Sequence, residues 1–496
     1  MRSSSAPNRI LSLVVLLCLV PVRAEAAIGT TKPNILLILA DDLGWADLGC
    51  YGADLHETPH LDRFARESVR FTNAYAMSVC SPSRATLMTG KHAARLRFTV
   101  WAEGAQAGGP KGRALREGES IWNLPHRETT VAQHLQSAGY LTALVGKWHL
   151  GDWEHYPETH GFDLNIGGTN WGAPQTFWWP YRGAGRFGNQ FRYVPHLEFG
   201  QPGEYLTDRL TDEAMRVIDR AGSGEKKPFF VYLAHHSVHT PIEAKAEDIA
   251  HFDAKRRDGM NHRHGIYAAM TKNLDDNVGR ILAHLRARGL DQNTVVIFAS
   301  DNGGYIGLDK ASGRDVPVTN NTPLRSGKGS LYEGGIRVPL IIRWPGVAQA
   351  GTTCDEPVIL TDLFPTLLAA ARVPPPANVN DGRDLAPLLK NPATKVERDA
   401  LFFHYPHYYH TTTPVSAIRA RDWKLLEYFE DNRIELFNLQ DDPGEKRDLA
   451  KENPAQASAL RTQLHAWRDS VGAALPKPNP DFKAVAPKAR PTSVSP

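Results

Sequence analysis

Asn34 to Ala40 reads Asn-Ile-Leu-Leu-Ile-Leu-Ala, apolar after its first residue, and runs straight into the pair Asp41-Asp42. A strand that is apolar at every position has no face for water, so it must lie inside a sheet covered on both sides. Comparable runs recur at Thr142 to Val145, Phe229 to Ala234, Thr294 to Ser300 and Val338 to Trp344. Helical patterns separate them: Thr58 to Glu67, with Thr58 as N-cap and Pro59 first, then Leu206 to Ala221 and His264 to Arg288. This alternation predicts an α/β fold, a large, mostly parallel (mixed) sheet sandwiched by helices. In such sheets ligands bind outside the carboxyl ends of the strands. Four polar clusters stand at those ends: Asp41-Asp42, Lys147 with His149, His235 to His239, and Asp301-Asn302. One site assembled from several strand ends accounts for all four.

The 496 residues suffice for one large α/β domain with an appendage. A formal net charge of +3 provides no global field for nucleic acid, so any anion preference must come from a local group of cations. Arg2 and Arg9, the apolar run Ile10 to Val20 and the small-x-small site Ala24-Glu25-Ala26 read as an export signal over residues 1–26. That run is too short to span a bilayer comfortably, and Leu17 before Cys18 speaks against a lipoprotein site. The expected product is exported, periplasmic or extracellular, with no stable membrane insertion and no nucleic-acid partner. A lone sequon, Asn320-Asn321-Thr322, favours a bacterial over a lysosomal setting. The α/β domain is expected over 32–395. Over 396–475, alternating strands at Val415 to Arg419, Trp423 to Phe429 and Ile434 to Asn438, then a helix from Pro454 to Val471, predict a smaller C-terminal antiparallel sheet with one helix. Residues 476–496, rich in Pro, Lys and Ser, are expected to be a disordered tail.

Asp41, Asp42, Asp301 and Asn302 offer hard oxygen donors, which suit a Ca²⁺- or Mg²⁺-type cation rather than zinc. Without a cation, clustered carboxylates repel and one of them protonates. Each segment alone is as readily a turn or a helix cap. Lys147 and His149 share a face if the strand persists beyond Gly146, although a solvated lysine and a capping histidine would also fit. Lys328 stands between Gly327 and Gly329, residues that permit close approach of backbone and ligand. His235 and His236 face either substrate or core. Cys50 and Cys354, left after Cys18 and Cys80, either pair or remain independent thiols. Cys80 opens Cys80-Ser81-Pro82-Ser83-Arg84-Ala85-Thr86-Leu87-Met88-Thr89-Gly90. Pro82 as a first helical residue would aim the following backbone N–H groups at residue 80, and Arg84 adds a fixed cation.

The segment from Cys80 to Gly90 resembles the maturation signature of the type I, formylglycine-dependent sulfatases of the alkaline phosphatase superfamily. Pro33-Asn34-Ile35 leading to Asp41-Asp42, Ser300-Asp301-Asn302-Gly303, Gly146-Lys147-Trp148-His149, Ser237-Val238-His239-Thr240-Pro241, Gly327-Lys328-Gly329 and Trp423-Lys424-Leu425 extend the resemblance from Lys32 to about Arg468. It implies that a maturation enzyme oxidises Cys80 to formylglycine (3-oxoalanine), whose hydrate attacks sulfur. It implies Ca²⁺, with Mg²⁺ as the other option, held by Asp41, Asp42, the modified Cys80, Asp301 and Asn302. The implied catalytic set is Cys80, Arg84, Lys147, His149, His239 and Lys328, of which Arg84, Lys147, His239 and Lys328 contact substrate. Asp301 would assist deprotonation of the nucleophile, His239 or Lys328 would protonate the leaving alcohol, and His149 would take a proton as sulfate departs. Trp178-Trp179-Pro180-Tyr181-Arg182 and His404-Tyr405-Pro406-His407-Tyr408-Tyr409-His410 suggest a sulfated carbohydrate substrate, with aryl sulfates as models; packing of these rings against one another is the other reading. A phosphate or phosphonate ester hydrolase, or a non-catalytic sulfated-glycan binding protein, are the alternative functions. Some arylsulfatases carry a serine that supports the histidine after Gly161-Phe162; here the stretch reads Gly167-Gly168-Thr169-Asn170-Trp171 and the role has no assigned residue.

Overall fold

The structure is a computed structural model that describes residues 1, 32–223, 226–376 and 381–483, so the expected export signal lies outside the described residues. The main sheet takes β1 (Asn34–Ala40), β2 (Val69–Tyr75), β3 (Leu141–Gly146), β4 (Leu164–Ile166), β5 (Phe229–Ala234), β6 (Thr294–Ser300), β7 (Arg337–Arg343), β8 (Thr352–Cys354) and β9 (Val358–Ile359). Their order across the sheet is β8-β2-β7-β6-β1-β5-β3-β4, with β9 also on β2. β6, β1, β5, β3 and β4 run parallel, so their carboxyl ends share one rim. β7 alone is reversed, antiparallel to both β6 and β2. Because it starts beside the end of β6, the segment just before it is carried to the same rim, and that segment contains Lys328.

The continuous apolar strands are explained by two covered faces. Ile35, Leu37 and Leu39 of β1 pack with α2 (Cys80–Thr89), α3 (Val131–Ser137) and α6 (Leu363–Ala370). Leu36, Ile38 and Ala40 pack with α1 (Pro59–Arg66), α4 (Leu206–Gly222) and α5 (Gly265–Ala287). Each fully buried aliphatic side chain contributes about 1.5–3 kcal/mol, and a one-residue slip would exchange the two sets. The register that sets Asp41-Asp42 at the rim is thereby fixed. At α1 Thr58 is the N-cap and Pro59 the first helical residue, as expected, but the threonine side chain makes no cap bond. Thr58 Oγ1 accepts from Gly49 N at 2.8 Å and donates to Asp62 at 3.0 Å, while the helix N–H groups of His60 and Leu61 donate to the Asp275 carboxylate on α5 at 3.0 and 2.7 Å.

The C-terminal meander is β10 (Leu401–Tyr405), β11 (Val415–Ala420), β12 (Trp423–Tyr428) and β13 (Ile434–Asn438). Alternation again sorts its faces: Ile418, Leu425 and Leu436 meet α7 (Pro454–Val471), while Ala417, Leu426 and Phe437 meet Tyr75, Met77 and Ile336 of the main domain. The expectation of disorder from 476 is corrected for residues 476–483. Lys477–Pro478 pairs with Leu115–Arg116, pinned by an Arg116–Asp481 ion pair at 2.8 Å and by Asn479 Nδ2 donating to Arg113 O at 2.9 Å; 484–496 lie outside the described residues. Cys50 and Cys354 are free thiols, which decides between the two readings of that pair. Among the described residues no helix is long and apolar enough to cross a membrane.

A buried ionic joint holds the two sheets together. Lys424 on β12 lies 2.8 Å from both Glu333 and Glu445, and Glu333 also receives Arg337 at 2.6 Å and the Tyr75 hydroxyl at 2.7 Å. All three ions Lys424, Glu333 and Glu445 are buried. Burial against Glu333 pushes the Glu445 carboxyl up to about 7 even with Lys424 beside it. Removing one partner of such a cluster strands the others, at a typical cost of about 3–5 kcal/mol. Lys424→Met is therefore expected to destabilise the chain by that amount in denaturant unfolding. A variant within about 0.5 kcal/mol of wild type would contradict the joint's role.

Candidate active site

Four of the five parallel strand ends deliver side chains to the rim. β1 supplies Asp41 and Asp42, β6 supplies Asp301 and Asn302, β3 leads to Lys147 and His149, and β5 leads to the segment with His239. Backbone bonds lock these segments edge to edge: Val238 N donates to Asp41 O at 2.7 Å, Lys147 N to Ala234 O at 2.7 Å and Asp301 N to Ala40 O at 3.2 Å. Lys328 is set by its own N–H to Gly304 O at 3.0 Å, and Gly329 N reaches Ser78 O at 2.8 Å. Cys80 and Arg84 come from the first turns of α2. That helix begins at Cys80 itself, so Pro82 is its third residue and not its first, still within the turn whose N–H groups need no intrahelical partner.

Three cations meet three carboxylates here, and Arg84, Lys147, Asp41 and Asp301 have no exposed surface. Arg84 directs Nε and Nη2 to Asp301 Oδ2 at 3.0 and 2.7 Å. Lys147 Nζ is 2.6 Å from Asp41 Oδ2, and Lys328 Nζ is 2.7 Å from Asp42 Oδ1. Asn302 Nδ2 donates to Asp42 Oδ1 at 2.8 Å, Asp42 N donates to Asp301 Oδ1 at 3.2 Å, and His239 Nε2 stands 3.6 Å from Asp42 Oδ2. Against the pull of burial, Lys328 and His239 hold Asp42 below the usual carboxylate range. Asp41 goes the other way: burial, with Asp301 and Asp42 close by, raises it well above that range despite Lys147. Burial pushes the Cys80 thiol up to about 11 although Lys147 and Lys328 oppose it, so as cysteine it is a protonated, weak nucleophile.

The donor set fits a divalent cation. Asp41 Oδ1 and Asn302 Oδ1 are buried without any hydrogen-bond partner, an expensive state for hard oxygen atoms. Asp41, Asp42, Cys80 and His239 each present one donor atom, all within 4.8 Å of one another. Two residues of the rim occupy the left-handed backbone region without being glycine, Asp42 at φ 61° and His149 at φ 61°. Such strain costs on the order of 1–3 kcal/mol and persists where the surroundings over-determine it. Here Tyr267 Oη donates to Asp42 O at 3.2 Å, and His149 N donates to Thr169 O at 2.9 Å.

Several sequence expectations resolve differently. Gly327 and Gly329 do give a close approach, but the space a Cβ would fill is taken by Gly304 O and by the Tyr409 ring rather than by open space for ligand. Trp178, Tyr181 and Tyr205 are packing residues: Trp178 lies edge-on to Tyr205 at 5.0 Å and Tyr181 Oη donates to Glu204 at 2.7 Å. His404 and His407 are buried on Ser416 and Glu117 at 2.7 and 2.9 Å. From that second cluster Tyr409 and His410 lie toward Lys328, in a chain of ring contacts from Trp101 to Tyr409 (5.5 Å), to His410 (4.5 Å), to Tyr305 (5.3 Å). His235 and His236 are buried with no hydrogen-bond partner at any ring nitrogen, and burial holds both neutral. The sequence gives no sign of Glu103, whose Oε2 lies 2.5 Å from His149 Nε2 and whose Oε1 accepts the Gly172 N–H at 2.9 Å. Burial draws His149 down to about 4 in spite of Glu103, with the Lys147 and Arg84 charges adding to the fall.

This geometry coincides with what comparison with known proteins finds. Residues 33–373 match the family model described as Sulfatase, and residues 327–470 match N-sulphoglucosamine sulphohydrolase, C-terminal. A sulfatase of Formosa agariphila is 32% identical over 88% of this chain and 88% of its own length. Steryl-sulfatase of Mus musculus is 34% identical over 92% of this chain and 85% of its own, and N-acetylgalactosamine-6-sulfatase of Rattus norvegicus is 36% identical over 73% and 67%. The crystal structure of Ps i-CgsB in complex with k-i-k-neocarrahexaose superposes with a TM-score of 0.72 at 31% identity, covering 88% of this chain and 93% of that one. The chain belongs to the sulfatase family of the alkaline phosphatase superfamily, enzymes that hydrolyse sulfate esters.

The packing around His149 yields a prediction. A Cβ on Gly172 would collide with the His149 ring, while its φ is ordinary, so only the clash distinguishes alanine from glycine there. Displacing a catalytic group by about 1 Å costs about 10²-fold in rate. Gly172→Ala is expected to lower kcat/KM for an aryl sulfate by about that factor, with the thermal midpoint lowered by no more than the few degrees that about 1–3 kcal/mol of overpacking costs. Full activity in the variant would show that the His149 position is not critical.

Proposed function

We propose that this chain hydrolyses the sulfate esters of a carbohydrate, using a formylglycine derived from Cys80 and a divalent cation, Ca²⁺ or alternatively Mg²⁺, held by Asp41, Asp42, Asp301, Asn302 and the modified residue 80. The observation that carries the reading is the position of Cys80. It is the first residue of α2, buried beside Lys147, Lys328 and Asp41, with its thiol too basic to act as a thiolate. A hydrated aldehyde at that position supplies one hydroxyl as nucleophile and a second whose proton can leave as sulfate is released. The cation supplies Lewis-acid stabilisation of negative charge on oxygen.

This chain's own residues do the rest. Arg84, Lys147 and Lys328 bring three positive charges to the place where a tetrahedral anion is gripped, and they act most strongly on the charge that grows in the transition state. Arg84 keeps Asp301 ionised and oriented to orient the nucleophilic hydroxyl and take its proton. His239 or Lys328, both on the Asp42 side of the site, protonates the leaving alcohol oxygen. His149 accepts the proton of the second hydroxyl. Cys80 is only 2% exposed, so its maturation enzyme must reach it before this part of the chain closes. The basic and apolar N-terminal run supports export to a periplasmic or extracellular location.

The relatives' names divide over substrate: neocarrahexaose and N-acetylgalactosamine-6-sulfate on one side, steryl sulfate on the other. The partly buried rings of Trp101, Tyr305 and Tyr409 and the exposed ring of His410 support the sugar, whose faces stack on aromatic rings. The test combines peptide mass spectrometry of the Cys80 fragment with rates on aryl sulfate, aryl phosphate, sulfated oligosaccharides and a steryl sulfate. Expected are a lighter, aldehyde-containing peptide whose fraction tracks aryl sulfate turnover, and desulfation of oligosaccharides. A wholly unmodified thiol with faster phosphate hydrolysis would favour the phosphohydrolase reading. No turnover with retained glycan binding would favour the binding protein.

A further inference from the structure

Glu103 reaches the site from outside every motif. It lies on the short helix Ala102–Ala107, with its side chain 16% exposed. Its Oε2 is 2.5 Å from His149 Nε2, its Oε1 accepts the Gly172 N–H at 2.9 Å, and Arg192 Nη2 stands 3.6 Å from the same Oε1. The other ring nitrogen of His149, Nδ1, is buried with no hydrogen-bond partner. An ionised carboxylate can only accept, so the hydrogen bond requires the proton on Nε2 and leaves the lone pair on Nδ1. Thr169, the nearest candidate for the missing supporting serine, offers His149 only its carbonyl.

We infer that Glu103 is the positioning residue for His149, fixing the Nε2–H tautomer so that Nδ1 is the atom that takes up a proton when sulfate is released. The inference rests on the proposed function above. In that step the proton passes from the hydroxyl oxygen to the Nδ1 lone pair, the O–H electron pair becomes the C=O bond of the regenerated aldehyde, the C–O bond to sulfate breaks with its electron pair leaving on sulfate, and Nε2–H stays bonded to Glu103. The positive charge that arises on the ring then lies beside a carboxylate, a charge-assisted hydrogen bond stronger than its neutral counterpart. Arg192 extends the arrangement outward. It crosses the Phe187 ring at 3.8 Å and the Trp171 ring at 5.0 Å and donates to Ala173 O at 3.1 Å, so the strand Gly188–Arg192 buttresses Glu103.

The test begins on the full chain with Cys80 unmodified, labelled with ¹⁵N-histidine. Two-bond ¹H–¹⁵N correlations report each imidazole tautomer, and the His149 signals are identified by their loss in His149→Gln. The wild type is expected to show Nε2–H with an unprotonated Nδ1, and Glu103→Leu to show a mixture of tautomers. On matured enzyme, Glu103→Gln is expected to lower aryl sulfate kcat about 10–100-fold, the range for removal of a partner that orients a functional histidine, with KM within about twofold. A proton on Nδ1 in the wild type would overturn the inference, and that reading needs no folded variant. So would an unchanged kcat in Glu103→Gln, or an unaltered tautomer in Glu103→Leu. Absence of aryl sulfate turnover in matured wild type counts against the proposed function instead, since the tautomer is read without turnover.

Discussion

Everything at the rim depends on keeping Arg84, Lys147 and Lys328 and the carboxylates of Asp41, Asp42 and Asp301 together with almost no water. Taking each ion from water costs several kcal/mol even after relaxation, and only close opposite charge and full hydrogen bonding offset that cost. The fold is arranged to meet this demand. Five parallel strands end on one line, the reversed β7 returns Lys328 to it, and α2 aims Arg84 at Asp301. The strained backbone at Asp42 and His149 lies at these same strand ends, held by Tyr267 and by Thr169 O.

The appended sheet takes part in the same arrangement. Its loop between β10 and β11 carries Tyr409, His410 and Thr411, and Thr411 Oγ1 donates to Lys328 O at 2.8 Å. The buried joint at Glu333, Lys424 and Glu445 therefore sets the position of the mouth relative to its floor. A site read only as strand ends would leave out the loop that packs against Lys328 from the appended sheet.

Legibility in the sequence followed locality. Strands buried on both faces are visible as continuous apolar runs, and β1, β5 and β6 sit where those runs are. β2, Val-Arg-Phe-Thr-Asn-Ala-Tyr, carries polar residues among its apolar ones and gives no such run, while β4 and β8 are three residues each, too short for any period to register. The site residues carried by motifs were recognisable because each motif is a contiguous segment with its own chemistry. Glu103 was not, since its partner lies 46 residues away and nothing in Trp101-Ala102-Glu103-Gly104 marks it. Aromatic density misled in the opposite sense. Most rings of the two clusters are structural, because a ring in a long loop is itself a means of packing that loop.

The most direct measurement is Ca²⁺ titration by isothermal calorimetry of the chelator-treated full chain, wild type against Asn302→Leu. Asn302 contributes a neutral oxygen, so this change removes a proposed ligand without altering the charge of the cluster. The expected result is one Ca²⁺ per chain, with affinity lowered by about tenfold or more in Asn302→Leu, equal to about 1.4 kcal/mol. No binding by the wild type, or binding indifferent to Asn302, would contradict the view of this cluster as a cation-held anion trap.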